Sequence, residues 1–279
     1  MKVFKKTHDF QSWHEKLPQK SKIGFVPTMG FLHDGHLSLV KEARAKNDFV
    51  VVSIFVNPIQ FNNREDLQNY PRNEEKDLQL LEEHRVDVVF MPSVEEMYPE
   101  PAKEIYSFPH IDQVMEGALR PGHFNGVAVV VSRLFKIVKP TSAYFGKKDY
   151  QQLLLIKELV KECSFDIEIV GMPIVREKDG LAMSSRNARL SAEEREIAPV
   201  IYKVLKQAKQ LLEDFDVEEV CEKCSAMLSE NEKIKLEYFI IADAETLKPL
   251  KSKKDALHAI AFVALWLGNV RLIDNIELF

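Results

Sequence analysis

Two histidines three positions apart, His33 and His36, stand in a stretch punctuated by Pro27, Gly30 and Gly35. Each imidazole can donate a hydrogen bond to a phosphate oxygen without the fixed charge of a lysine. Three more polar loops follow: Asn57-Pro-Ile-Gln60-Phe61, Gly146-Lys-Lys-Asp-Tyr-Gln-Gln152 and Met183-Ser-Ser-Arg186. Beside the open backbone of Gly146, Lys147 and Lys148 would neutralise phosphate charge, and Asp149 would serve a metal ion or a nucleotide hydroxyl. The same residues also read as an N-cap aspartate among solvated lysines. Ser184, Ser185 and Arg186 supply two hydroxyls and a guanidinium fork for phosphate oxygens, or are ordinary turn residues. Gln60 and Gln152 each adjoin an apolar stretch. An amide that both donates and accepts suits a small hydroxy acid, and equally a satisfied core position.

These residues need elements to hold them. The apolar run 23–26 reads as a buried strand, and a helical pattern (Leu37, Leu39, Val40, Ala43) takes over at His36. A strand, a glycine-bearing loop and a helix N-terminus together bind phosphate through free N–H groups and the helix dipole. The bland alternative is two surface histidines in an ordinary strand–helix connection. The chain has neither GxxxxGK[ST] nor a GxGxxG after this strand, so the P-loop and the dinucleotide fingerprint are excluded here.

A helix is expected before the first strand, in 7–20, and further strands at 48–56, 87–91, 143–145 and 166–170, the first of these a continuous β-branched run. They alternate with helices at 74–85, 127–138 and 150–163, and 120–126 and 146–149 read as loops. Such alternation predicts right-handed βαβ units and a Rossmann-like, doubly wound parallel sheet, with ligands outside the carboxyl ends of its strands. The pattern then changes: a turn at 178–180, a polar loop at 181–190, helices at 191–212 and 217–229, and strands at 236–242, 259–267 and 270–278. Ser191 with Glu194 forms a capping-box signal, and Gly268-Asn269 a two-residue hairpin signal. Two domains are therefore expected, an α/β domain over 1–175 and a smaller α+β domain over 176–279.

The net charge of −5 speaks against a nucleic-acid surface, and no apolar run approaches the roughly 18 residues of a membrane span. No signal-peptide pattern follows Met1, and Cys163, Cys221 and Cys224 are an odd number, so reduced thiols in the cytoplasm are expected. Cys221 and Cys224 have a metal-like spacing without a second pair, and read as plain helix residues. Lys251 to Lys254 reads as a solvated turn.

HxGH at the start of a first helix resembles the signature of nucleotidyl-transferring enzymes. The full set, VPTMGxLHxGH from Val26, FVNPxQF from Phe55, Tyr70-Pro71-Arg72, RPGHF from Arg120, YFGxKDYQQ from Tyr144 and LAMSSRN from Leu181, resembles the pantoate–β-alanine ligase (pantothenate synthetase) family. The resemblance implies an HxGH-type Rossmann-like fold and two-step chemistry: pantoate attacks the α-phosphate of ATP, then β-alanine attacks the resulting pantoyl adenylate. It assigns Met29, Gly30, Phe31, Leu32, His33, Asp34, Gly35 and His36 to ATP, with His36 as proton donor and His33 beside it at the phosphates. Gly146, Lys147, Lys148, Asp149, the backbone of Val175, Met183, Ser184, Ser185 and Arg186 complete the nucleotide site. Gln60 would hold pantoate and adjoin the β-alanine site, and Gln152 would hold pantoate. Lys148, Arg186, the histidines and Mg²⁺ would relieve repulsion between the carboxylate and the triphosphate. No protein ligand to Mg²⁺ is assigned. A homodimer is implied, and the smaller domain is expected to act as a lid over ATP.

Three positions depart from the family pattern. Phe31 is bulky where a small residue is expected, Asn125 stands where a basic residue is common, and Lys76 stands where some relatives carry an aspartate near the metal. Two other classes share parts of this pattern: a nucleotidyltransferase that keeps the nucleotide on its product, and a nucleotide-binding regulatory or RNA-binding protein without catalysis. The glutamine positions favour the ligase, and the acidic balance opposes RNA.

Overall fold

The computed structural model describes residues 1–279. Contacts divide them into two compact units. The first comprises residues 1–147 and 151–173, and the second residues 148–150 and 174–279.

The first unit is built on six parallel strands: β1 (Lys2–Phe4), β2 (Ile23–Thr28), β3 (Phe49–Ile54), β4 (Val88–Phe90), β5 (Ser142–Gly146) and β6 (Glu168–Met172), in the order β1-β4-β3-β2-β5-β6. Its longer helices are α1 (Thr7–His14), α2 (Asp34–Lys46), α3 (Glu74–Glu83), α4 (His123–Val138) and α5 (Tyr150–Glu162), whose first residue groups with the second unit. Strand β3 has Val50, Val51 and Val52 fully buried, as a continuous β-branched run should be when both faces are covered. One core layer packs Val26, Val50, Val52 and Val89 against Leu39, Val40 and Ala43 of α2 and Leu81 of α3. From β2 the chain winds outward through β3 and β4, then returns to the other side of β2 for β5 and β6. The strand order therefore reverses at β2 and β5, the place where open α/β sheets bind ligands.

The second unit carries α6 (Ala192–Ile197), α7 (Val200–Leu211) and α8 (Val217–Ser229), and an antiparallel sheet of β7 (Ile234–Asp243), β8 (Ala259–Leu267) and β9 (Val270–Glu277). Ile201, Val204, Leu205, Val220 and Leu228 of the helices pack on Phe239, Val263 and Leu265 of the sheet. Leu267 pairs with Val270 across Gly268-Asn269, the hairpin its dipeptide signals. Ser191 and Glu194 form the capping box that starts α6. Cys221 and Cys224 lie in α8, with Cys224 in the core.

Several boundaries differ from those expected. Strand β1 pairs at the sheet edge with β4, Lys2 beside Val88, where a three-residue segment flanked by lysines shows no periodicity. Helix α1 stops at His14 and not near residue 20. The helix expected over 191–212 is two, because Pro199 supplies no N–H to continue α6. Helix α2 begins at Asp34 with His33 as N-cap, two residues ahead of the expected start. Helix α4 begins at His123 and takes in residues 123–126 of the expected loop. Gly126, which reads as a helix breaker in sequence, sits inside α4 because a Cβ there would come within 2.6 Å of the Ile59 carbonyl oxygen. Residues 147–149 and 185–189, expected as loops, form 3₁₀ turns.

Candidate functional site

The HxGH segment leaves the carboxyl end of β2 and turns into α2. Gly30 and Phe31 both take positive φ, 80° and 53°, a left-handed pair that costs little at glycine and more at phenylalanine. Asp77 of α3 holds this turn. Its carboxylate accepts the N–H of Phe31 at 2.8 Å and of Leu32 at 2.7 Å, and it is 2% exposed. Burial pushes the Asp77 carboxyl above its ordinary value, against the pull of the two amides. Sequence reasoning passed over Asp77. The signal was there: with Leu81 four residues on, it shares the buried face of an otherwise acidic helix.

The two histidines cap α2 reciprocally. His33 Nδ1 accepts the N–H of Gly35 at 3.1 Å, and the N–H of His33 points at His36 Nδ1 at 3.4 Å. Their rings lie 4.1 Å apart, centre to centre. With Nδ1 accepting in each ring, the neutral tautomer carries its proton on Nε2. Nε2–H donors on two adjacent rings at a helix N-terminus are an arrangement suited to phosphate oxygens.

Gln60 ends a 3₁₀ turn after β3, Pro58–Gln60. Its Nε2 approaches Met29 Sδ at 3.2 Å, and its Oε1 accepts from Asn57 Nδ2 at 3.0 Å. Asn57, 1% exposed, also donates to the Gly126 carbonyl and accepts from the Tyr98 hydroxyl at 2.7 Å. His123 Nδ1 meets the Gln60 carbonyl at 2.8 Å. Gln60 and Met29 are thereby brought together, with Asn57 as the buried hub behind them. On α5, Gln151 is the structural member of the glutamine pair: it donates to the carbonyls of Ile111 and Val114 and accepts from the Glu116 N–H. Gln152 is the partly exposed one.

In the second unit, Met183 N–H bonds the Val175 carbonyl at 3.0 Å, so a short hairpin carries both residues. Ser184 Oγ caps the Arg186 N–H at 3.2 Å, opening the 3₁₀ turn Ser185–Arg189. Lys148 and Asp149 also belong to this unit, whereas Gly146 and Lys147 belong to the first. Lys148 Nζ lies 3.9 Å from Asp149, a loose pairing, and Asn275 Nδ2 donates to the Lys148 carbonyl at 2.9 Å. Asn275 lies far outside every polar loop in the sequence, and nothing local marks it.

The departures have local accounts. Asn125 Oδ1 accepts the Tyr106 N–H at 2.8 Å, and Lys76 lies in the first turn of α3, its N–H capped by Asn73. No group of three or more His, Cys, Asp or Glu side chains is arranged to hold a metal ion. Asp77, the acid beside the HxGH turn, has both oxygens turned to backbone amides. The residues present do not form a protein cage for Mg²⁺.

A family model described as pantoate-beta-alanine ligase matches residues 2–277. The chain belongs to the pantoate–β-alanine ligase family. It is a ligase. Pantothenate synthetases of Bacteroides fragilis and Thermotoga petrophila are each 49% identical to it over 278 residues, 99% of both chains in each comparison. The pantothenate synthetase of Thermus thermophilus superposes with a TM-score of 0.94 at 45% identity, over 100% of each chain. The pantoate-beta-alanine ligase of Francisella tularensis, solved with beta-gamma ATP and beta-alanine, gives 0.84 at 40% identity, over 99% of this chain and 97% of that one. Among pantoate–β-alanine ligases, then, this chain has the family's α/β sheet followed by a smaller antiparallel domain.

Proposed function

We propose that this ligase condenses pantoate with β-alanine in the cytoplasm, at the expense of ATP, through pantoyl adenylate. A pantoate carboxylate oxygen attacks the α-phosphorus, the bond to the β-phosphate breaks, and pyrophosphate leaves. The β-alanine amine then attacks the acyl carbon, sheds its proton and displaces AMP. The observation that carries this reading is the reciprocal His33–His36 cap at the sheet's reversal point, with Gln60 pinned beside Met29. The Nε2–H groups of His33 and His36 donate to phosphate oxygens, and His36 is the proton donor. Met29 to Gly35 line the nucleotide.

Gly146, Lys147, Asp149, Val175, Met183, Ser184 and Ser185 complete the ATP contacts. Lys148 and Arg186 lower the repulsion that a carboxylate meets at a triphosphate, a preorganised electrostatic term. Gln60 orients pantoate and meets β-alanine, and Gln152 orients pantoate. Mg²⁺ would accompany the triphosphate and offset its charge, without a carboxylate cage from the protein. The odd number of cysteines, Cys163, Cys221 and Cys224, supports a reducing compartment. The reading includes a homodimer, supported by the exposed apolar side chains Ile59, Val94 and Ile105 of the first unit.

The test is pantoate-dependent exchange of labelled pyrophosphate into ATP with β-alanine left out. Exchange is the expected result. A protein that binds ATP and shows no exchange overturns the adenylate route.

A further inference from the structure

We infer that Asn275, at the far end of the chain, is a positioning residue for Lys148, and through it for ATP. The inference rests on the reading that Lys148 meets the nucleotide.

Asn275 is 4% exposed on β9, and its side-chain amide donates to the Lys148 carbonyl at 2.9 Å. Residues 148–150 group with the second unit although their chain neighbours on both sides belong to the first. This hydrogen bond is a polar tie between that turn and β9. It fixes the peptide plane after Lys148, and with it the direction in which the side chain leaves the 3₁₀ turn. It also occupies the carbonyl oxygen, whose partial negative charge would repel a phosphate.

Asn275 is itself held from below. Arg176 pairs bidentately with Asp274 at 2.6 and 3.0 Å and donates to the Asn275 carbonyl at 3.1 Å. Asp274 Oδ1 accepts the Asn275 N–H at 2.8 Å, and the Arg176 guanidinium stacks 3.8 Å from the centre of the Tyr202 ring. A buried ion pair contributes little net stability, but its fork geometry fixes direction. Arg176 also follows Val175 directly and bridges to Ala182, next to Met183. One buried cluster therefore sets Lys148 and the hairpin that carries Val175 and Met183. The Lys-Lys-Asp loop could not have revealed its own support, because that support lies 127 residues away.

The test is calorimetric titration with ATP, without pantoate or β-alanine, of wild type, Asn275→Ala, Lys148→Ala and the double variant. Loss of one such hydrogen bond should weaken ATP binding about fivefold. Pantoate KM should change less than twofold, whereas a general structural defect would move both. In the Lys148→Ala background, Asn275→Ala should cause no further loss, the signature of two residues acting as one. Equal ATP affinity in wild type and Asn275→Ala overturns the inference, as does the same fold loss in both backgrounds. If thermal unfolding shows that Asn275→Ala has lost its fold, Asn275→Asp keeps the shape, removes the donor, and is read by the same comparisons. A wild-type protein that binds ATP but exchanges no pyrophosphate defeats the adenylate route and leaves this comparison intact. One that binds no ATP defeats both.

Discussion

Asp77 shows how much a single side chain can set at a site it does not line. Its two oxygens hold the amides of Phe31 and Leu32, so the strained turn at Gly30 and Phe31 is closed from behind. Asp77→Asn can accept from only one of those amides and turns an N–H toward the other. An unsatisfied buried donor costs about 1–3 kcal/mol. We expect ATP binding to weaken by about tenfold, and the thermal midpoint to fall by a few degrees. Unchanged ATP affinity in a folded Asp77→Asn protein would show that the turn holds without its anchor. The histidine pair has the same logic at closer range: capping bonds at Nδ1 set both tautomers, so helix geometry decides which nitrogen carries the proton.

Among the elements, α4 holds more than the core. Arg133 on this helix grips Glu104 through two 2.9 Å bonds and donates to the Met97 carbonyl, fastening the irregular segment that precedes Phe108. The Arg133 guanidinium holds the Glu104 carboxyl down from 4.5 to about 2. A depressed carboxylate contributes stability that is complete above its ordinary value and lost as pH falls through the folded one. The thermal midpoint of wild type should therefore exceed that of Glu104→Gln by about one to three degrees above pH 5, since a partly solvated pair contributes modestly. The gap should close between pH 4.5 and about 2. A gap that stays constant across this range would remove Glu104 as its source. Elements were also the easiest level to read in advance. The uninterrupted run at β3, the Ser191–Glu194 capping box of α6 and the Gly268-Asn269 turn are local signals with local causes. Strand β1 was not legible, because three residues at an edge are a strand only by virtue of β4 beside them.

At the scale of the whole molecule, two cores form around two different sheets, one parallel and one antiparallel. Exposed Ile59 and Val94 border a groove of about 380 Å³ on the first unit. The proposed homodimer predicts a sedimentation-equilibrium mass of twice 32.2 kDa at micromolar concentration. A mass of a single chain would separate this protein from that reading.

By itself the sequence determined the family, the α/β order of the larger unit and the short polar loops, because these depend on residue types within a few positions of one another. HxGH, Gln60, Lys148 and Met183 to Arg186 stand out in that way as candidates. Only the tertiary structure decided what holds them. Asp77 under the HxGH turn, Asn57 behind Gln60 and Asn275 against Lys148 are 45, 3 and 127 residues from the groups they fix. Two of those partners meet only through folding. Asn57, although near in sequence, becomes a hub only when Gly126 and Tyr98 close over it. A hydrogen bond needs atoms within about 3 Å and leaves no period or spacing in a chain that must fold to make it.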